Sequence, residues 1–133
     1  YLESGLIGHI FKEITFSSPT GIYIGLVGNY SSGSLESGLF TQELSGGSYA
    51  RVSGGPGTAY WASPASSGQT NNFQALTFPV ATNNWGNVSG VFVADADGSE
   101  ANILLYGQLS SVKNVTNGDT FSFASGDLDI FFK

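Results

Sequence analysis

From Phe73 onward the chain is cut by Gly, Asn and Asp into apolar runs of strand length, which restricts it to short strands joined by tight turns. Phe73–Val80 predicts one strand. Val88–Ala94 predicts a second, with Val91 and Val93 alternating against Phe92. Ile103–Leu109 is the third, and Asp95–Ala101 turns between these two. Thr120–Ala124, with Phe121 and Phe123 on one face, is the fourth, and Leu128–Phe132 is the fifth. Asn117-Gly118-Asp119 and Gly126-Asp127 mark turns, because Gly and Asn accept positive φ at little cost. Upstream, Ile22–Val27 is a continuous apolar run suited to a strand covered on both faces. Strands at this spacing indicate an all-β fold, an antiparallel β-sandwich or jelly-roll-like domain.

Composition supports that class. Charged residues are 11% of the chain, against about 25% in an ordinary domain. The chain holds 19 Gly and 10 Phe, with Ser, Thr and Asn abundant. A helical bundle needs Ala, Glu, Lys and Leu in quantity, and disorder goes with few aromatics and more charge. At 133 residues the sequence reads as one domain, able to bury a core without metals or disulfides, and it contains no Cys. The expected layout is a helix over 1–12 and a β-sandwich over 20–133. In the helix Leu2, Leu6, Ile7, Ile10 and Phe11 recur at spacings of three and four and form an apolar stripe. That stripe either caps an open end of the β core or docks on a neighbouring subunit.

Charge excludes two classes of partner. The net charge is −6, and the four bases, Lys12, Arg51, Lys113 and Lys133, are scattered along the chain. Nucleic acid binding needs clustered cations that neutralise phosphates, and an anionic membrane surface needs the same. No apolar run approaches membrane-spanning length.

The candidate sites are few. His9 is the only His and has no evident nucleophile or orienting carboxylate. Asp95-Ala96-Asp97-Gly98-Ser99-Glu100 resembles the start of a calcium loop but lacks the full EF-hand pattern, so it reads as an acidic hairpin turn. Asp119, Asp127 and Asp129 could pair for glycoside hydrolysis, yet Asp119 and Asp127 fall at turns, where backbone N–H groups are the usual partners. Gly54-Gly55-Pro56-Gly57 is followed by no Lys-Ser/Thr at P-loop spacing. Asn29, Asn87 and Asn114 head glycosylation sequons, which matter only in a eukaryotic secretory setting. These readings leave no catalytic residue, cofactor or metal site, and the chain is expected not to be an enzyme. The polar stretches Gly28–Gly57 and Ser63–Asn72 are long loops of the kind that carry binding contacts. Trp85, beside Gly86 at the head of a strand, reads as structural. Tyr60 and Trp61, next to a Gly-rich loop, are the better candidates for stacking on a sugar, although aromatics in a β domain more often serve the core.

Several segments come in a familiar order: Tyr1-Leu2-Glu3, Tyr23-Ile24-Gly25-Leu26, Gly47-Ser48-Tyr49-Ala50-Arg51-Val52, Leu76-Thr77-Phe78-Pro79, Asn84-Trp85-Gly86-Asn87-Val88, Leu104-Leu105-Tyr106-Gly107, Asn117-Gly118-Asp119-Thr120 and Phe123-Ala124-Ser125-Gly126-Asp127-Leu128. Together they resemble a widespread family of small tailed-bacteriophage structural proteins, over nearly the whole chain. The chain departs from that pattern at Asp95–Ala101, where the hairpin tip is more acidic. The resemblance implies a virion component assembled in the bacterial host cytoplasm, with no catalytic residues to carry over. Two roles are open within it. The leading expectation is a capsid decoration (cement) protein, a homotrimer bound to the major capsid protein or other virion proteins. The alternative is a tail fibre or tail-tip module that recognises a host glycan.

Overall fold

The computed structural model describes residues 1–63 and 68–131. In chain order its elements are α1 (Leu2–Phe11), β1 (Tyr23–Val27), α2 (Ser32–Glu36), β2 (Val52–Ser53), β3 (Gln69–Asn71), β4 (Leu76–Thr77), β5 (Gly86–Ala94), β6 (Ile103–Val115), β7 (Ser122–Phe123) and β8 (Asp129–Phe131). One four-stranded antiparallel sheet has the order β2-β1-β5-β6. Two antiparallel ribbons, β3-β8 and β4-β7, accompany it. The fold is all-β and antiparallel, as the punctuation predicts, with the second layer divided into two ribbons.

Period-two alternation explains how the sheet is covered on both faces. Ile24 and Leu26 of β1, with Val88, Val91 and Val93 of β5, join Leu76, Phe78, Phe121, Phe123 and Leu128 in the larger core cluster. Val27, Phe92 and Ala94 point the other way and pack with Leu35 of α2 and Ile103 in a second cluster. Phe78, Phe121 and Phe123 meet edge to face, at centroid distances of 5.8 and 5.3 Å, a favoured aromatic geometry. Gly25 stands opposite Phe92 in the register, and a Cβ there would lie 2.1 Å from the Phe92 ring. The missing side chain is therefore what lets the ring lie across β1.

Asn72 holds the second layer together. It is fully buried, and its Nδ2 donates to Gln74 O (2.8 Å) and Ala124 O (2.7 Å) while its Oδ1 accepts Leu128 N–H (2.8 Å). One amide thus ties the approach to β4 to the turns around β7 and β8, meeting the requirement that buried polar groups be paired.

The structure changes several expected boundaries. Only Leu76–Thr77 of Phe73–Val80 is strand. Phe73 and Gln74 belong to the bend around Asn72, and Pro79 has no N–H to continue the ladder, although Phe78 N–H still reaches Phe121 O at 2.9 Å. The fourth predicted strand shrinks to Ser122–Phe123. The fifth is Asp129–Phe131, and its expected last residue, Phe132, lies outside the described residues. β6 runs beyond Leu109 to Val115 because a bulge carries it past an irregular stretch: Val88 pairs with Lys113 and Gly90 with Gln108, leaving 109–112 opposite Ser89.

The expected loop Gly28–Gly57 contains α2 and β2. α2 is built from poor helix formers, but Leu35 is buried, and Gly38 (φ 74°) closes the end with Leu39 N–H to Ser34 O (3.0 Å). Tyr106 of β6 donates its hydroxyl to Glu36. That bond, then burial and the Glu36 charge, push the Tyr106 pKa up to about 12. The expected loop Ser63–Asn72 contains β3, and its residues 64–67 lie outside the described residues. Among the described residues no helix is long and apolar enough to cross a membrane.

Candidate functional surfaces

One charged side chain, a base that stands apart from the others in the sequence, is nearly enclosed by the fold. The Arg51 side chain is 5% exposed. Its Nε donates to Glu43 Oε1 (2.9 Å) and its Nη2 to Glu43 Oε2 (2.8 Å), a two-pronged pair. Its Nη1 donates to Ala96 O (3.0 Å) and Gly98 O (2.9 Å), and its guanidinium lies 4.2 Å from the Phe40 ring centroid. Tyr49 completes the knot. Its hydroxyl donates to Glu43 Oε1 (3.0 Å) and accepts Leu26 N–H (2.8 Å). Burial, reinforced by the Glu43 charge, raises the Tyr49 phenol well above its usual range, so it stays a neutral donor. For Arg51, burial works against the charge, but the hydrogen bonds and charge of Glu43 outweigh it and raise the pKa. Four of the five guanidinium N–H groups and the Tyr49 hydroxyl are held, so the cluster acts as a clamp joining the loop before β2 to the hairpin tip.

The acidic tip is structural on its other side too. Asp95 Oδ1 accepts Asn102 N–H (2.7 Å), and Asp95 Oδ2 accepts Asn102 Nδ2 (2.7 Å). Of the carboxylates weighed for hydrolysis, Asp119 and Asp127 sit in turns and Asp129 opens β8. Asp119 Oδ2 accepts both the N–H and the hydroxyl of Thr116 (2.8 Å each), which lowers its pKa. Asp127 Oδ2 accepts Ala124 N–H (3.1 Å), and Asp129 Oδ1 accepts Gln69 Nε2 (3.3 Å). Among the described residues no group of His, Asp and Glu could hold a metal ion. His9 is exposed on α1.

The aromatic pair separates. Trp61 packs against the main core, and its Nε1 donates to Gly55 O (2.9 Å). Its indole N–H and part of its face are therefore committed. Tyr60 remains 36% exposed beside Gly55. Of the two rings, Tyr60 is therefore the more open to solvent. Trp85 is buried, with its Nε1 on Gly47 O (2.9 Å), the structural role its setting implied.

The expectation that the α1 stripe caps the β core is corrected. Ile7, Ile10 and Phe11 are 54, 66 and 76% exposed, and Leu6 is 36% exposed. Leu2 is half-buried. The reason is local. Glu13 adopts φ 54° and Ile14 N–H bonds back to Gly8 O (3.1 Å), which folds the chain along the small-residue side of the helix. Phe16 then lies over Gly5, where a Cβ would come within 2.3 Å of its ring. The side that sequence periodicity assigns to the interior is left facing outward.

A family model described as "Podophage GP4 fiber I protein gp80" matches residues 1–131, and the chain belongs to that family of tail-fibre-type bacteriophage structural proteins. No curated protein matches the chain.

Proposed function

We propose that this chain is a fibre-type component of the bacteriophage virion which recognises a glycan on the host surface and carries out no chemistry of its own. The match of a fibre-protein family over residues 1–131 is the observation that carries this reading, and it favours the tail over the capsid surface. The commitments of the polar residues support the absence of chemistry. The clamp at Arg51 and the turn carboxylates hold backbone in place, as the hydrogen bonds above describe. The outward stripe on α1 supports attachment to other virion proteins, including further copies of this chain in a homotrimer. Apolar side chains of this exposure are the usual material of an interface core.

Adsorption competition tests the reading. Purified protein added to host cells should occupy the receptor and slow phage adsorption in a dose-dependent way. Protein that neither binds host cells nor slows adsorption would overturn recognition as its role.

A further inference from the structure

β6 is an edge strand, and an open groove of about 960 Å³ lies between its residues 107–115 and the segment 119–131. Its size is near the upper end of ordinary small-molecule sites, about 300–1,000 Å³. The groove reaches the core. Val91, Val115, Phe121, Phe123 and Leu128 line it and keep between 4 and 9% of their surface, whereas Ile24, Leu26 and Val88 elsewhere in the cluster keep none. Its rim is polar and exposed. Among the described residues the hydroxyls of Ser110, Ser111, Thr120 and Ser122 make no intramolecular hydrogen bond. Asp119, Asp127 and Asp129 each hold one carboxylate oxygen in a turn or strand contact and leave the other without a partner among the described residues.

We propose that this groove is the glycan-binding site of the protein and that it takes a neutral or amine-bearing oligosaccharide. The proposal rests on the recognition reading above and places the site away from Tyr60. A sugar ring has an apolar C–H face and a belt of hydroxyls. It matches an apolar floor bordered by residues that carry unpaired hydroxyl and carboxylate groups. Charge selects the class. The lining carries three carboxylates and one ammonium, Lys113, so a polyuronate or phosphorylated chain meets like charge. An added peptide strand is the other chemistry a free sheet edge suggests, but it needs a regular ladder. The bulge that leaves 109–112 opposite Ser89 interrupts β6 along the length that lines the groove.

Calorimetric titration of the whole protein decides the matter, with the neutral polysaccharide fraction of the host envelope as probe and a polyuronate as comparator. Ser122→Trp and Ser111→Trp each fill the groove from an exposed rim position, the second on the bulge, where the fold tolerates it if the first does not. Each should weaken binding of the neutral fraction by about tenfold or more at an unchanged melting temperature, while Tyr60→Ala changes it by less than about twofold. Wild-type binding that survives both tryptophan variants would overturn the groove and leave the recognition reading standing. Equal binding of the polyuronate would overturn the ligand class. Absence of binding by the wild-type protein would overturn the recognition reading and the groove with it.

Discussion

Arg51 reaches across 45 and 47 residues of sequence to the carbonyls of Ala96 and Gly98 while its other nitrogens grip Glu43. A buried pair of this kind is weak evidence of net stabilisation, but removing one partner strands the other. Arg51→Met is therefore expected to destabilise the fold by about 3–5 kcal/mol in urea denaturation. Arg51→Lys should recover little of it, since an ammonium cannot reproduce the fork. Asp119 gives a pH prediction. Its folded pKa lies below the ordinary 3.8 because the N–H and hydroxyl of Thr116 favour the charged form. A depressed carboxylate contributes stability that is present above the unfolded pKa and lost as pH falls through the folded value. Stability measured from pH 5 down to pH 2 should therefore fall less steeply in Asp119→Ala than in the wild type. Residues of this kind were only partly legible in the sequence. Turn roles for Asp119 and Asp127 follow from their Gly neighbours, because turn chemistry is local. The Arg51 clamp does not, because its partners are set by the approach of distant segments.

The elements show the same divide between local and tertiary causes. β1 and β5 were legible because each is an apolar run of strand length bounded by Gly, Asn or Asp. β6 was read short because its second half, with Ser110, Ser111, Lys113 and Asn114, carries little apolar signal and is held by its partner strand past a bulge. α2 was missed because Ser and Gly hide a helix that exists to bury Leu35. The Gly25 and Phe92 pairing invites a test. Gly25→Ala should cost about 1–3 kcal/mol in denaturant unfolding, as overpacking does, because the Phe92 ring occupies the space. Helix α1 behaves in the opposite way. Ile7→Asp and Phe11→Asp should change stability by less than about 0.5 kcal/mol, since both side chains are mostly exposed. The same variants should be lost from assembled particles, as gel analysis of purified virions would show. Unfolding of either variant would return α1 to the domain's own core. Periodicity located this stripe correctly, but the direction it faces is decided by the back-folded segment 12–16.

As a whole, the molecule is a two-faced antiparallel sheet in which Arg51, Asn72, Asp95, Asp119 and Asp127 hold turns and loops in place. Its described surface includes the outward α1 stripe and the groove beside β6. That design suits a part which attaches on one surface and recognises on another. The joint order of short motifs was enough to place the chain among phage structural proteins. It could not separate capsid from tail, because a decoration protein and a fibre module both need only a stable β domain with complementary surfaces. The family match tips that balance toward the fibre. Cryo-electron microscopy of the intact particle, with this fold fitted to the density, tests the claim most directly. The fibre account predicts density for the chain at the tail or its fibres. Density on the outer capsid lattice at threefold positions would contradict it and restore the decoration role.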